Sequence, residues 1–565
     1  MTYQNRLKAL LSKGYFPKEL PPAFTTVDFG QNAYDIMNEW SASKLFTTSQ
    51  PKYKKKKMRG QYTYTISDTE LEVISKPKRN YERRNIHVTH PIPQLLLANE
   101  ISNEWHSVWK MLQRQTYSLD RIEISEKYER AIKGIGFKLH RVKKDFLEAT
   151  SDWLVKTDIS RFYPTIYTHS LAWAAYGKEK VKKNFSLYKC SLADRLDILV
   201  RACNRNQTIG IPIGPETSRI LAEIISARID SDFHHNEKDI SRDKVDRLQD
   251  DWFIGVETLE AAERALSSIN LTYRDYGLEI NGYKTSINHI LANSGTSWIS
   301  EIGGFLSHNS KQLSGNRLRE FISLSLRLQA EYPNEAVIIY ALSVIEGKSY
   351  SSSDIEVLET FLLKASVQSP ISMDKICRII LNLQFTSQKI SAQRICDRFT
   401  TLLERNTENG NLYEAMWLLY TIRGLKQPIQ SKRFAELLEI IPGSALPLIS
   451  LDMKSKSLFS TSLPKATWED SFDYERTRRD WSWLLAYEGI RHGWLQDKKG
   501  LMSKSFFKPM HGRQVVFYDP KRNVPSSKSV VEKRKRSQKA QSVNLSRFMF
   551  NLRGVEPPDW LNDCD

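Results

Sequence analysis

The chain has 565 residues, 40% of them hydrophobic and 11% aromatic, a globular composition with core for roughly three or four domains. No run approaches the ~20 apolar residues that span a bilayer, and Met1 to Arg6 lacks the apolar core of a signal peptide, so the reading is a cytoplasmic protein without a membrane partner. A net charge of +18 favours polyanionic partners, while five cysteines without a C-x-x-C pair argue against structural zinc and a disulfide framework.

Tyr3 to Ser12 reads as a helix. Gly14 to Pro22 holds too much proline to continue it, and residues 1–50 are expected as an N-terminal arm laid over another domain. Lys52 to Arg59 gathers six cations around Tyr53, followed by Tyr62 and Tyr64. Such a cluster either neutralises phosphates while its aromatics stack on bases, or is a solvated loop. Residues 61–76 alternate, and the break at Ser67 to Thr69 predicts a hairpin. Arg83 to Pro91 continues as a strand ending at the proline, and 92–113 reads as helix.

Trp153 to Asp158 is a strand with an acid at its end, where α/β sheets place chemistry. Residues 167–206 read as mostly helical, and Thr208 to Pro215 as a loop. Pro215 suits the first turn of a helix whose apolar face carries Ile220, Leu221, Ile224, Ile225 and Ile229. Residues 245–256 read as two strands meeting at Asp250-Asp251, and 257–275 as a helix. Leu278 to Thr285 then leads to Gly303 to Leu306, where this domain begins to end.

From about 315, helical segments follow one another with short breaks, as in a stacked helical array. Ser353 with Glu356, and Asn411 with Glu414, have capping-box spacing. Aromatics and arginines between Trp468 and Trp494 either pack as a last helix or contact nucleic acid or another subunit. The serine-rich basic run over 520–541 reads as flexible, and 501–565 is assigned to a basic tail.

The ordered set of Asp158, the Gly210 to Pro215 loop and Asp250-Asp251 suits nucleotidyl transfer. That chemistry uses two Mg²⁺ ions about 4 Å apart, one for the attacking 3′-oxygen and one for the triphosphate. Mg²⁺ takes oxygen ligands and few protein ones, so aspartates from separate strands meet the need; Mn²⁺ fits the same donors.

Asp158 to Pro164 resembles the first palm motif of reverse transcriptases, and Gly210 to Pro215 with Ser218 and Leu221-Ala222-Glu223 resembles the second. The Ile213-Gly214-Pro215 and Leu221-Ala222-Glu223 forms are similar to the abortive-infection and related phage-defence group. Gln249-Asp250-Asp251 sits at the family's x-Asp-Asp box, Asn281 with Lys284-Thr285 at the next motif, and Gly304-Phe305-Leu306 at the one after. Arg84 to Pro91 resembles a bacterial fingers strand, and Gly14 to Pro22 the N-terminal segment of some defence proteins. The likeness covers about residues 10 to 310.

The resemblance implies an α+β fold, with right-hand polymerase fingers at 51–150 and palm at 151–314, followed by an all-α, helical-repeat-like domain at 315–500. It implies that Asp158 and Asp250 hold the metals, with Asp251 as a supporting ligand and the Ile159 carbonyl completing a shell. Tyr163 falls at the steric-gate position, where an aromatic excludes a ribose 2′-hydroxyl, or else packs. Arg84 would grip the triphosphate, with Arg83 and Lys78 as rivals, and Gly210, Pro212 and Gly214 would let the backbone approach the nucleotide. Lys284 would protonate the leaving pyrophosphate or cap a strand end. Leu248 departs from the family, which has an aromatic there, leaving open how the primer end is held.

The expected activity is a DNA polymerase in anti-phage defence, with template-independent, protein-primed synthesis as in abortive-infection relatives. An RNA-templated enzyme with a dedicated noncoding RNA, and a vestigial palm serving as a nucleic-acid scaffold, are the alternatives. Partners are dNTPs, a DNA product and, for the templated form, RNA; a homo-oligomer through the helical domain is also expected.

Overall fold

The computed structural model describes residues 1–50, 62–78, 82–114, 117–292, 297–307, 313–386 and 390–536. It is a mixed α+β chain in which, among the described residues, three small sheets are embedded among helices. The lysine cluster at 52–59 and Cys564 lie outside the described residues, while Cys190, Cys203, Cys377 and Cys396 are free and buried, as expected.

β1 (Phe46–Ser49) pairs antiparallel with β2 (Thr63–Ile66), and β3 (Glu72–Pro77) with β4 (Arg83–Val88). The hairpin expected over 61–76 is therefore not formed, because its two strands take different partners. The intervening segment is fixed from outside: the Thr69 N–H and hydroxyl both donate to the Ala202 carbonyl, and the Glu70 N–H donates to the Arg479 carbonyl. Tyr62 and Tyr64 are not free stacking platforms either. Both hydroxyls donate to Glu100, and the Arg195 guanidinium lies 4.2 Å from the Tyr62 ring centre.

The helix Pro91–Asn103 follows, with proline at its first position, where no N–H is needed. It is buried nearly all round, its polar Gln94, Glu100 and Ser102 included, because it runs through the core. The central sheet contains β5 (Trp153–Asp158), β6 (Val245–Leu248), β7 (Asp251–Val256) and β8 (Ser286–His289) in the order β6-β7-β5-β8, every pairing antiparallel. The helices Phe137–Ala149 and Leu259–Asp275 pack against it.

From Gly315–Glu331 to Ala445–Ser455 the chain is a succession of helices. The capping boxes differ from expectation. The helix Ser352–Gln368 is capped by Ser351, whose hydroxyl accepts from the Asp354 N–H. Asn411 occupies the N-cap of the helix Leu412–Leu425 without a side-chain capping bond, and Glu414 instead binds Arg83 on β4 at 2.7 and 2.8 Å. That ion pair, the Glu72 carboxylate accepting from the Ser444 and Ala445 N–H groups, and Trp417 Nε1 donating to the Glu19 carbonyl dock the helices on the N-terminal half.

The tail expected from 501 begins later. Phe506, Phe507, Met510, Val515, Phe517 and Tyr518 are fully buried. Phe517 packs on Phe16, Phe29, Trp483 and Tyr487, and its carbonyl accepts from the Thr25 N–H. Six buried apolar side chains outweigh the basic residues around them. Of the aromatics between 468 and 494, Trp468, Phe472, Trp483 and Tyr487 are buried, which is the packing alternative. No helix of the described residues is long and apolar enough to cross a membrane.

Candidate active site

β5 and β7 are neighbours in antiparallel register, which sets Asp158 directly opposite Asp251. Opposed residues on paired strands have Cβ atoms about 5 Å apart, so the register alone brings two carboxylates together. Asp250 enters from the two-residue turn between β6 and β7, where Leu248 opposes Asp251. Gln249, the first residue of that turn, has φ +59, and Arg161, three residues beyond Asp158, has φ +49. Non-glycine residues seldom adopt this left-handed region, and such strain collects at functional sites.

The turn is held from beneath by Arg247, a residue that sequence reasoning missed. Its side chain is 1% exposed. Nε and Nη2 donate to Asp230 at 2.7 and 2.9 Å, Nη2 to Glu223 Oε1 at 2.6 Å, and Nη1 to the Gln249 carbonyl at 2.7 Å. The guanidinium fork thus fastens the strained peptide before Asp250 to two acids on the helix Glu216–Asn236. The signal was present: Glu223 and Asp230 lie seven residues apart on one helix face, opposite an arginine within an apolar strand.

The Lys284 ammonium donates to Asp158 Oδ2, and Thr157 and Thr285 share a 2.9 Å hydroxyl contact that keeps the two segments together. Burial alone would lower the lysine's pKa; the bond to Asp158 and the charges of all three aspartates raise it above the ordinary value. Asp250 is pushed up to about 7, by burial first and then by the nearby charges of Asp158 and Asp251.

Asp158 Oδ1 is buried without a hydrogen-bond partner. An orphaned carboxylate oxygen beside two more carboxylates is an all-oxygen donor set matching Mg²⁺ or Mn²⁺. Among the described residues no group of three or more histidine, cysteine, aspartate or glutamate side chains is placed to hold a metal ion, so Asp158, Asp250 and Asp251 do not by themselves make a complete set of ligands. An open set of few protein ligands suits Mg²⁺, which keeps its remaining positions for water and phosphate.

The Gly-Pro loop is bonded to the segment that follows Asp158. The Ile211 N–H donates to the Tyr163 carbonyl at 3.0 Å, and the Gly210 N–H to the Ile166 carbonyl at 2.8 Å. Gly210 needs its φ of +90, and a Cβ there would come 3.1 Å from the Pro164 carbonyl oxygen. Pro212 is buried. Gly214 serves a different end from the one expected: its missing Cβ makes room for Pro17 of the N-terminal arm and the His87 carbonyl on β4. The same face of β4 is bonded to the loop, since the Ile213 N–H donates to His87 Nδ1 at 2.9 Å and the His87 N–H to the Ile213 carbonyl at 2.8 Å. Burial pushes His87 down to about 4, so the ring is the neutral acceptor that this bond needs.

Tyr163 is half-buried. It lines a cavity of about 20 Å³ with Phe162, Arg219, Glu223 and Gln249, and burial and the Asp250 charge raise its pKa. Of the three candidate phosphate cations, Arg83 is taken by Glu414 and Lys78 by Glu82, while Arg84 is exposed and makes no ion pair with a described residue. Lys78 first, and Lys284 and Arg84 with it, hold the Glu82 carboxyl below its ordinary value, which puts the end of β4 near Lys284. The structure therefore gathers Asp158, Asp250, Asp251 and Lys284 at one sheet end, with Tyr163 within electrostatic reach of Asp250, whereas Arg84 meets Lys284 only through their shared influence on Glu82.

No protein-family model matches the chain, and no curated protein sequence does. The structure is similar to apo telomerase from Candida tropicalis, with a TM-score of 0.29 and 11% identity over 78% of this chain and 76% of that one. A form of that telomerase truncated from its C-terminal domain gives a TM-score of 0.26 and 13% identity over 48% of this chain and 57% of the other. The chain thus spans little more than half the length of the truncated telomerase, and at these scores the likeness says nothing of activity.

Proposed function

We propose that the chain is a DNA polymerase of the reverse-transcriptase type that joins dNTPs by two-metal nucleotidyl transfer. The observation that carries this reading is the meeting of Asp158 and Asp251 across paired strands, with Asp250 in the adjoining turn and Lys284 against them. Asp158, Asp250 and Asp251 would hold the cations, which when bound supply charge neutralisation at the triphosphate and a more acidic 3′-hydroxyl. Lys284, kept protonated by three carboxylates, holds a proton where a pyrophosphate would leave. Arg84 offers an uncommitted cation for the triphosphate, and the Tyr163 ring discriminates at the sugar. A role in phage defence, with template-independent and protein-primed synthesis, rests on the resemblance of Ile213-Gly214-Pro215 and Leu221-Ala222-Glu223 to that group.

Incubation of the purified protein with dNTPs and Mg²⁺, with and without an RNA template, tests the reading. Product is expected from the intact chain and not from Asp250→Ala or Asp251→Ala. Synthesis persisting in both variants would remove the acid pair from the mechanism. A DNA–protein adduct that survives denaturation separates protein priming from extension of an added primer.

A further inference from the structure

A cleft of about 1660 Å³ opens between residues 113–114 and 118–139, the N-terminal arm at Lys18 and Glu19, the helical domain and the last described helix, 527–536. It exceeds the ~300–1,000 Å³ of small-molecule pockets. Thirteen basic and six acidic side chains line it. Many of these cations are committed, Arg130 to Glu216 and Arg534 to Glu346 among them. Lys18, Arg121, Lys127 and Arg536 are exposed and form no ion pair with any described residue. They come from three separate stretches of chain, so the fold has gathered unneutralised charge on the cleft walls.

The wall formed by helix 527–536 is built rather than incidental. Asn382 fixes its start, donating to the Pro525 carbonyl at 3.0 Å and accepting from the Ser527 N–H at 2.9 Å. A Cβ on Gly347 would come 2.4 Å from Val531, so the two elements are in close contact. Arg534 binds the buried Glu346, and Lys533 reaches Glu129 across the cleft at 2.6 Å. At its inner end the cleft shares Ser118 and Asp120 with the small cavity that holds Tyr163 and Gln249.

We infer that this cleft binds the sugar-phosphate backbone of a single-stranded nucleic acid. Free cations on both walls suit a strand whose phosphates face outward, and a concave groove of this volume holds a few nucleotides where a duplex is gripped along its outer grooves. The inference deepens the polymerase reading and rests on it for the identity of the strand, but the binding itself does not require catalysis.

Fluorescence anisotropy of a labelled oligo-dT on the full chain tests it, with Arg121→Glu/Lys127→Glu compared with Lys432→Glu, an exposed cation outside the cleft. The double variant is expected to bind at least tenfold more weakly. Its salt slope should fall by about 1.4, or 0.7 for each lost phosphate contact. Affinity equal to that of Lys432→Glu, or duplex DNA bound as tightly as the single strand, would overturn the inference. Asp250→Ala, run in parallel, is expected to keep full binding. Lost binding in the cleft variant of a chain that never incorporates dNTPs leaves the cleft standing and removes the polymerase, and the reverse pattern removes the cleft alone.

Discussion

At the scale of single residues, the site depends on a side chain that touches no reacting atom. Arg247 joins two buried or half-buried acids to the peptide that precedes Asp250. A lysine there keeps the charge but cannot reach Asp230, Glu223 and the Gln249 carbonyl at once. Arg247→Lys is expected to lower kcat for dNTP incorporation at least tenfold, with KM for dNTP little changed. Its unfolding free energy should fall by about 1–3 kcal/mol in urea titrations. Unchanged kcat would reduce Arg247 to a packing residue. The motif residue Glu223 acquires a physical meaning here, as a partner of this arginine rather than a ligand of the reaction.

At the scale of elements, loop, arm and strand are fitted by the absence of one side chain. Gly214→Ala would place a Cβ 2.7 Å from Pro17 Cγ and 3.1 Å from the His87 carbonyl oxygen, at a φ of +134. A loss of about 2–3 kcal/mol in unfolding free energy is expected. Pairing it with Pro17→Gly should recover the steric part but not the backbone part. The edge of the central sheet has its own fastening. His140 sits between Asp246 on β6, at 2.9 Å, and Asp120, at 3.0 Å. Burial lowers its pKa, but the two hydrogen-bonded carboxylates outweigh burial and push it up to about 9. A histidine whose folded pKa is raised contributes stability that is fully present below its unfolded value, near 6.5, and is lost as pH rises through about 9. Urea unfolding at pH 6 and pH 9.5 should therefore differ by about 2–3 kcal/mol more for the intact chain than for His140→Gln.

At the scale of the whole molecule, the two ends of the described chain share one core. Phe517 is 0% exposed and packs against Phe16 and Phe29 of the arm and Trp483 and Tyr487 of the C-terminal helices. Phe517→Ala is expected to cost about 3–5 kcal/mol and to lower Tm by several degrees. Because the Thr25 N–H and the Ala23 carbonyl bond to residues 517 and 519, limited proteolysis should then open the arm near residues 20–30 before the central sheet. Early cleavage elsewhere would show that the arm is held by other contacts.

How much of this was legible in the sequence differs by kind of signal. Strand β5, the strand pair around Asp250-Asp251, and the helices Glu216–Asn236 and Leu259–Asp275 follow from local periodicity and turn chemistry, and each formed near its expected bounds. The acids that belong to one site were legible because short-range rules place each at a strand end or turn. The pairing of β2 with β1 was not legible, since alternation marks a strand but carries no information about its partner. The role of Gly214, the commitment of Arg83 to Glu414 and the burial of the apolar side chains between 506 and 518 depend on segments up to about 500 positions apart in the chain, which local pattern does not encode. Sequence by itself determined the kinds of element and the chemistry they carry. Tertiary structure decided which carboxylates face each other, which cations stay free for a polyanion and which are neutralised, because charge and packing depend on distance in space.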